Sequence, residues 1–156
     1  MNIYRSLNEI TKYIDDNLDD NIDYNVLAKF LGVNVYTMQR LFTMIAGISL
    51  SEYIRKRRLS NAGFDLYEGK FKIIDIALKY QYDNATSFSR AFEKFHGIKP
   101  SLVNKESKLK VFPRIVFNED INVVTELNYE IITLDEMDIN HPALKVQGLM
   151  GDWKSL

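Results

Sequence analysis

Residues 27–49, LAKFLGVNVYTMQRLFTMIAGIS, and residues 76–100, IALKYQYDNATSFSRAFEKFHGIKP, are one pattern written twice. Through the first half the copies align at a spacing of 49, pairing Ala28 with Ala77, Leu31 with Tyr80 and Val33 with Tyr82. Through the second half the spacing is 50, pairing Met38 with Phe88, Arg40 with Arg90, Phe42 with Phe92, Gly47 with Gly97 and Ile48 with Ile98. The shift by one places an extra residue in the second copy's turn or early in its second helix. A short helix, a tight turn and a second helix with a polar outer face form the helix-turn-helix, the unit that sets its second helix into a DNA major groove. Two units in one chain can meet two successive grooves without a partner subunit. The repeat therefore implies a sequence-specific DNA-binding protein.

Both copies divide into faces in the same way. In the first, Met38, Leu41, Phe42 and Ile45 recur at helical spacing and should face a core, leaving Tyr36, Gln39, Arg40 and Thr43 on the opposite stripe. In the second, Phe88, Ala91, Phe92 and Phe95 face inward, and Thr86, Ser89, Arg90 and Glu93 face outward. Asp23 is placed to cap a helix over Tyr24 to Leu31, and Asn34 to cap the next, which runs to about Ala46. Gly32 lies between them, where a tight turn wants a residue tolerant of positive φ.

Outward from the repeats, Ile3, Leu7, Ile10 and Ile14 predict an amphipathic helix over Ile3 to Leu18, ending in the acidic run DDNLDDN. Ser49 and Glu52 form a capping box at the head of a long helix that Gly69 should stop. Nineteen or so residues span ~29 Å, close to the roughly 34 Å between successive major grooves, so this helix can act as a spacer. Gly63 in its interior weakens it by ~1 kcal/mol relative to Ala and leaves room for flexure. A short helix is expected from Pro100 to about Ser107. Beyond it Lys110–Phe117, Tyr129–Leu134 and Ala143–Leu149 read as strands.

Charge is distributed unevenly. Residues 1–23 carry two basic and six acidic groups, residues 24–110 fifteen and seven, and residues 111–156 three and eight. The net charge of −1 thus conceals a basic island of +8 between acidic flanks of −4 and −5. Such an island neutralises phosphates and releases counterions. There are no cysteines, the two histidines are far apart, and no metal spacing, phosphate-cradling glycine loop or Ser/His/Asp order appears, so no cofactor and no enzyme activity is expected. No apolar run reaches the ~18–20 residues of a membrane span and no signal-peptide pattern opens the chain, which points to a cytoplasmic, nucleoid-associated protein.

The elements LAxxLGV, LxRLF and GIS, the link SLSEYIRKRRL, and IAxxYxY, FSRAFxKFHGIKP resemble the DNA-binding domain of AraC-type transcription regulators over roughly residues 3–106. SLSEYIRKRRL and MQRLF look most like the stress-response activators of that family, which bind asymmetric sites as monomers. The resemblance implies a mainly α fold, with two helix-turn-helix subdomains joined by a long linker helix and followed by a short strand-rich tail. The DNA-binding domain would cover residues 1–108, with units at about 24–46 and 72–95 and the linker helix at about 49–68. Residues 109–156 would be the tail. Base reading would fall to Val35, Tyr36, Gln39, Arg40 and Thr43 on the first unit and to Ala85, Thr86, Ser87 and Arg90 on the second. Arg suits guanine O6/N7, Gln suits adenine, and Tyr, Val or a Thr methyl suits thymine methyls. The implied partners are double-stranded DNA and RNA polymerase.

Three departures from the family pattern stand out. Gln81 occupies the second turn where the family usually has Gly, at a cost of about 1–2 kcal/mol if its φ is positive. Val103 replaces the usual Tyr after GIKP, which should loosen the closing helix. Ala85, Thr86 and Ser87 are small, so the first unit should carry most of the specificity. The tail, with YEIITLDEM followed by ALKVQGL, resembles the opening of a gyrase-inhibitor-like effector domain. The chain stops at Leu156 as a helix would begin near Trp153, which reads as a truncated sensor or an incomplete piece. Its few strands should bind no effector tightly and offer an edge for weak self-association, and a chain ended near Ser107 should keep DNA affinity.

Other readings of the same residues are a nonspecific architectural DNA binder and a helical protein-interaction module. Arg40 and Arg90 can be surface ion-pair residues rather than groove contacts. Of Arg55-Lys56-Arg57-Arg58, Arg57 is read as structural. His96 at a helix end is also read as structural, with the helix dipole favouring its charged form.

Overall fold

The computed structural model describes residues 2–118 and the backbone of residues 130–133. Six helices follow in order: α1 (Ile3–Asp16), α2 (Tyr24–Leu31), α3 (Val35–Ala46), α4 (Leu50–Glu68), α5 (Ile73–Lys79) and α6 (Ala85–His96). A 3-10 turn at Pro100–Leu102 and the strands β1 (Lys108–Val111) and β2 (Glu130–Thr133) complete the described elements. The protein is mainly α. No helix among the described residues is long and apolar enough to cross a membrane.

Local chemistry sets these limits. Asn2, Asp23, Asn34 and Asn84 each accept a backbone N–H of the helix they head, as N-caps do. Ser49 Oγ accepts from Glu52 N at 3.3 Å at the head of α4. Gly69 follows α4 with φ +70°. Helix α1 is two residues shorter than expected, because Asn17 donates its side-chain amide to Tyr13 O and its backbone N–H to Ile14 O. Leu18 is nonetheless buried, just past the helix end.

The described chain forms two compact units. Residues 2–55 and 114–118 belong to the first, and residues 56–113 and 130–133 to the second. In the first unit Leu7, Ile10, Ile14, Leu27, Met38, Phe42, Leu50 and Tyr53 form the core. Phe117 joins them with its ring edge-on to Phe42, 6.1 Å between centroids. Asn8 fixes the Phe117 backbone from both sides, donating to its carbonyl at 2.9 Å and accepting its N–H at 2.8 Å. Ile115 N donates to Tyr53 Oη at 3.3 Å.

The core of the second unit is aromatic. Tyr82, Phe88, Phe92 and His96 form a run of ring contacts with successive centroids 5.4, 5.6 and 4.3 Å apart. His96 Nε2 lies 2.7 Å from Leu59 O and Nδ1 accepts from Lys110 N at 3.1 Å, so the neutral ring with its proton on Nε2 satisfies both. His96 is structural, as expected, but its charged form is disfavoured. Burial pushes its pKa down to about 4, outweighing the Leu59 hydrogen bond, which raises it. Arg57 is buried and donates through Nη1 to Phe112 O, and Ser60 Oγ accepts Phe112 N at 3.0 Å.

The region after Pro100 differs from its expected form. The closing helix is reduced to three residues. Strand β1 is Lys108–Val111 rather than Lys110–Phe117, because Phe112 has given both backbone groups to α4 and Pro113 has no N–H for a ladder. It pairs antiparallel with Glu130–Thr133, a shorter strand than Tyr129–Leu134, with Leu109 opposite Ile132. Leu109, Val111 and Phe112 are buried in the second unit and Phe117 in the first. Residues 109–118, assigned from sequence to a separable tail, are therefore part of the helical units. The strand expected at Ala143–Leu149 lies outside the described residues.

Candidate nucleic-acid interface

The two helix-turn-helix units share their joints. Residues at positive φ end the first helices, Gly32 at +67° and Gln81 at +70°. Val33 N then bonds back to Ala28 O, and Tyr82 N to Ala77 O. Asn34 and Asn84 cap the second helices with equal 2.8 Å bonds to Thr37 N and Ser87 N. Gly32 and Gln81 are 49 apart and Asn34 and Asn84 are 50 apart, so the extra residue lies in the turn, between Gln81 and Asn84. The non-glycine turn expected from sequence is present, with Gln81 held in the left-handed region.

Helix α3 turns Met38, Phe42 and Ala46 inward, with Leu41 and Ile45 half-buried. Tyr36, Arg40 and Thr43 are exposed, and Val35 and Gln39 are half-buried at the margin. The Arg40 guanidinium carbon lies 5.6 Å from the Tyr36 ring centre, and Arg40 Nη1 donates to Tyr36 Oη at 3.4 Å. Thr43 donates its hydroxyl to Gln39 O at 2.9 Å, which leaves its methyl for a partner. Tyr36, Gln39, Arg40, Thr43 and Met44 line one open depression on this face.

Helix α6 buries Phe88, Phe92, Phe95 and His96 and exposes Thr86, Ser87 and Arg90, with Ala85 half-buried at its head. Ser87 is occupied in the cap, its hydroxyl donating to Asn84 O at 3.1 Å. Ala85, Thr86, Ser89, Arg90 and Glu93 border a shallow groove whose other wall includes Lys99 and Ser101. Among the described residues neither Arg40 nor Arg90 makes an ion pair. That weakens the reading of these arginines as surface ion-pair residues. The cations that are paired lie elsewhere, as in Lys79 with Asp65 at 2.8 Å.

Sequence reading missed some of this surface. Met44 is 68% exposed beside Thr43, and its i+8 spacing from Tyr36 would have placed it on the same stripe. Lys99 belongs to the GIKP element, which was read only as a family motif. No cluster of three or more metal-ligand side chains occurs among the described residues.

Residues 27–106 match a family described as "Helix-turn-helix domain". The fold is shared with a solved transcriptional regulator from Chromobacterium violaceum, described as having an AraC-type DNA-binding domain. Its TM-score is 0.57 at 24% identity, over 62% of this chain and 87% of that one. The chain belongs to the AraC-type helix-turn-helix family. A relative, the HTH-type transcriptional activator AarP of Providencia stuartii, is 40% identical over 96 residues, 62% of this chain and 71% of that protein. The probable transcription factor PqrA of Proteus vulgaris is 35% identical over 97 residues, 61% of this chain and 80% of that one. This AraC-type chain is a sequence-specific DNA-binding transcription regulator, and double-stranded DNA is its partner. The likeness to a gyrase-inhibitor-like domain falls outside the described residues, save for the backbone of Glu130–Thr133.

Proposed function

We propose that this regulator sets α3 and α6 into successive major grooves of one duplex as a monomer and activates transcription through contact with RNA polymerase. Base edges are read from α3 by Gln39 and by Arg40 with Tyr36 beside it, with Val35 and the Thr43 methyl packing on thymine methyls. Ala85, Thr86, Ser87 and Arg90 dock α6, where the small side chains and the engaged Ser87 hydroxyl leave Arg90 mainly to phosphate. The observation that carries the reading is the pair of asparagine-capped helices, each with an exposed arginine that has no carboxylate partner among the described residues. The protein acts without catalysis, in the cytoplasm at the nucleoid. Its C-terminal strands support at most weak self-association.

Selection of bound sequences from random duplex DNA tests this. A single asymmetric motif spanning two adjacent grooves is expected. Tight binding with no motif would instead make the protein architectural, and no binding would remove DNA as the ligand.

A further inference from the structure

Arg40 and Arg90 occupy equivalent positions in the two units, but their surroundings differ in one respect. One helical turn before Arg40 stands Tyr36, 67% exposed, whose ring underlies the guanidinium and whose hydroxyl accepts from it. One turn before Arg90 stands Thr86, which offers no ring. A long exposed arginine samples many rotamers, and holding it before binding lowers the entropy lost when it grips a base. A guanidinium lying over an aromatic face, even with Nη1 on the ring hydroxyl, presents its remaining N–H donors at the rim, where two-point recognition of guanine requires them. The Thr43 hydroxyl donates to Gln39 O, and no hydrogen bond joins it to Arg40.

We infer that Tyr36 is a positioning residue for Arg40: its ring and hydroxyl hold the guanidinium ready for a base, so the specificity of the first unit resides in the Tyr36–Arg40 pair rather than in two independent contacts. The inference rests on the reading of Arg40 as a base contact. It also supplies a physical reason for unequal specificity between the units, since Arg90 has no such support.

The test uses the full chain and its best site, with each base pair of the α3 half-site varied in turn. Arg40→Ala should erase preference at one or two base pairs. Tyr36→Thr, which copies Thr86, should reduce preference at those same base pairs by about two- to fivefold, the size of an exposed cation–π contact. Tyr36→Phe, which keeps the ring, should restore most of it. In an Arg40→Ala background Tyr36→Thr should have no further effect on preference. All variants should melt at the wild-type temperature, because both side chains are exposed. A change at a different base pair, or an equal loss with and without Arg40, would make Tyr36 an independent reader and overturn the inference. Failure of Tyr36→Phe to restore preference would also overturn it. If Arg40→Ala leaves every base preference intact, the reading of Arg40 itself fails, and the inference fails with it.

Discussion

Gly63 and His96 leave no room between them for a methyl group. A β-carbon on Gly63 would stand 3.0 Å from Cε1 of His96, 3.2 Å from its Nε2 and 3.4 Å from Leu109 Cδ1. Both ring nitrogens are hydrogen-bonded, so the imidazole cannot retreat without breaking a contact to Leu59 or Lys110. Gly63 is therefore a site of close approach rather than a hinge. Gly63→Ala gains about 1 kcal/mol of helix propensity but forces overpacking that costs about 1–3 kcal/mol. A net destabilisation is expected, seen as a lower midpoint in thermal or urea unfolding, and a higher midpoint would show that His96 yields.

The same histidine makes stability depend on pH. Its folded pKa of about 4 lies below the ordinary 6.5, so between these values the unfolded chain binds more protons. This contribution is fully present above about pH 6.5. It is lost as pH falls toward 4, and amounts to something of order 3 kcal/mol. Urea unfolding from pH 7 to 4.5 should show a steeper loss for wild type than for His96→Gln, which does not titrate. Parallel pH profiles would mean that the ring is free to charge in the folded state.

Gln81 is exposed and held at φ +70°, and its side-chain amide donates to Lys79 O at 3.4 Å. Relieving a left-handed non-glycine residue is worth about 1–2 kcal/mol. Gln81→Gly should therefore raise the unfolding free energy by about 1 kcal/mol and leave DNA preference unchanged.

The segment after Ser107 can be cut in two informative places. A chain ended after Asn118 keeps Phe112 on Arg57 and Ser60, and Phe117 on Asn8 and Phe42. It should fold and bind DNA. A chain ended after Ser107 loses four buried apolar side chains, Leu109, Val111, Phe112 and Phe117. At about 3–5 kcal/mol for removal of each buried Phe, it should be largely unfolded by circular dichroism. Full DNA affinity in the shorter chain would restore the division drawn from sequence.

Binding should weaken steeply with salt, with a slope of log K against log salt of roughly −4 to −7 at ~0.9 per phosphate. Arg40→Ala should cost about 1–3 kcal/mol on the best site and relax particular base pairs. Arg90→Ala should weaken all sequences alike and shallow the salt slope by about one. Titrations at several salt concentrations on matched and mismatched duplexes separate the two.

The helical part was legible because its signals are local. Caps at Asp23 and Asn34 and the turn residue Gly32 act within a few residues of themselves, and α2 and α3 fall where those signals place them. The outer faces of α3 and α6 followed from periodicity alone. What escaped depends on distant partners. That Phe112 would surrender its backbone groups to Arg57 and Ser60, more than 50 residues away, has no local signature, so β1 was drawn too late and the boundary with it. The approach of His96 to Gly63 is equally nonlocal. Tyr36 and Arg40 were both singled out, but their contact became visible only with side chains in place.

The amide of Asn8 takes both backbone groups of Phe117, joining residues 109 positions apart. The first unit is thus made of two separated stretches, and all of residues 56–113 is threaded between them. A ribosome releases the chain in order, at about 5–20 residues per second. Helices α1 to α3 must therefore wait, unfinished, through the synthesis of α5 and α6. The unit that begins the protein cannot close until residues 56–113 of the second unit have been made.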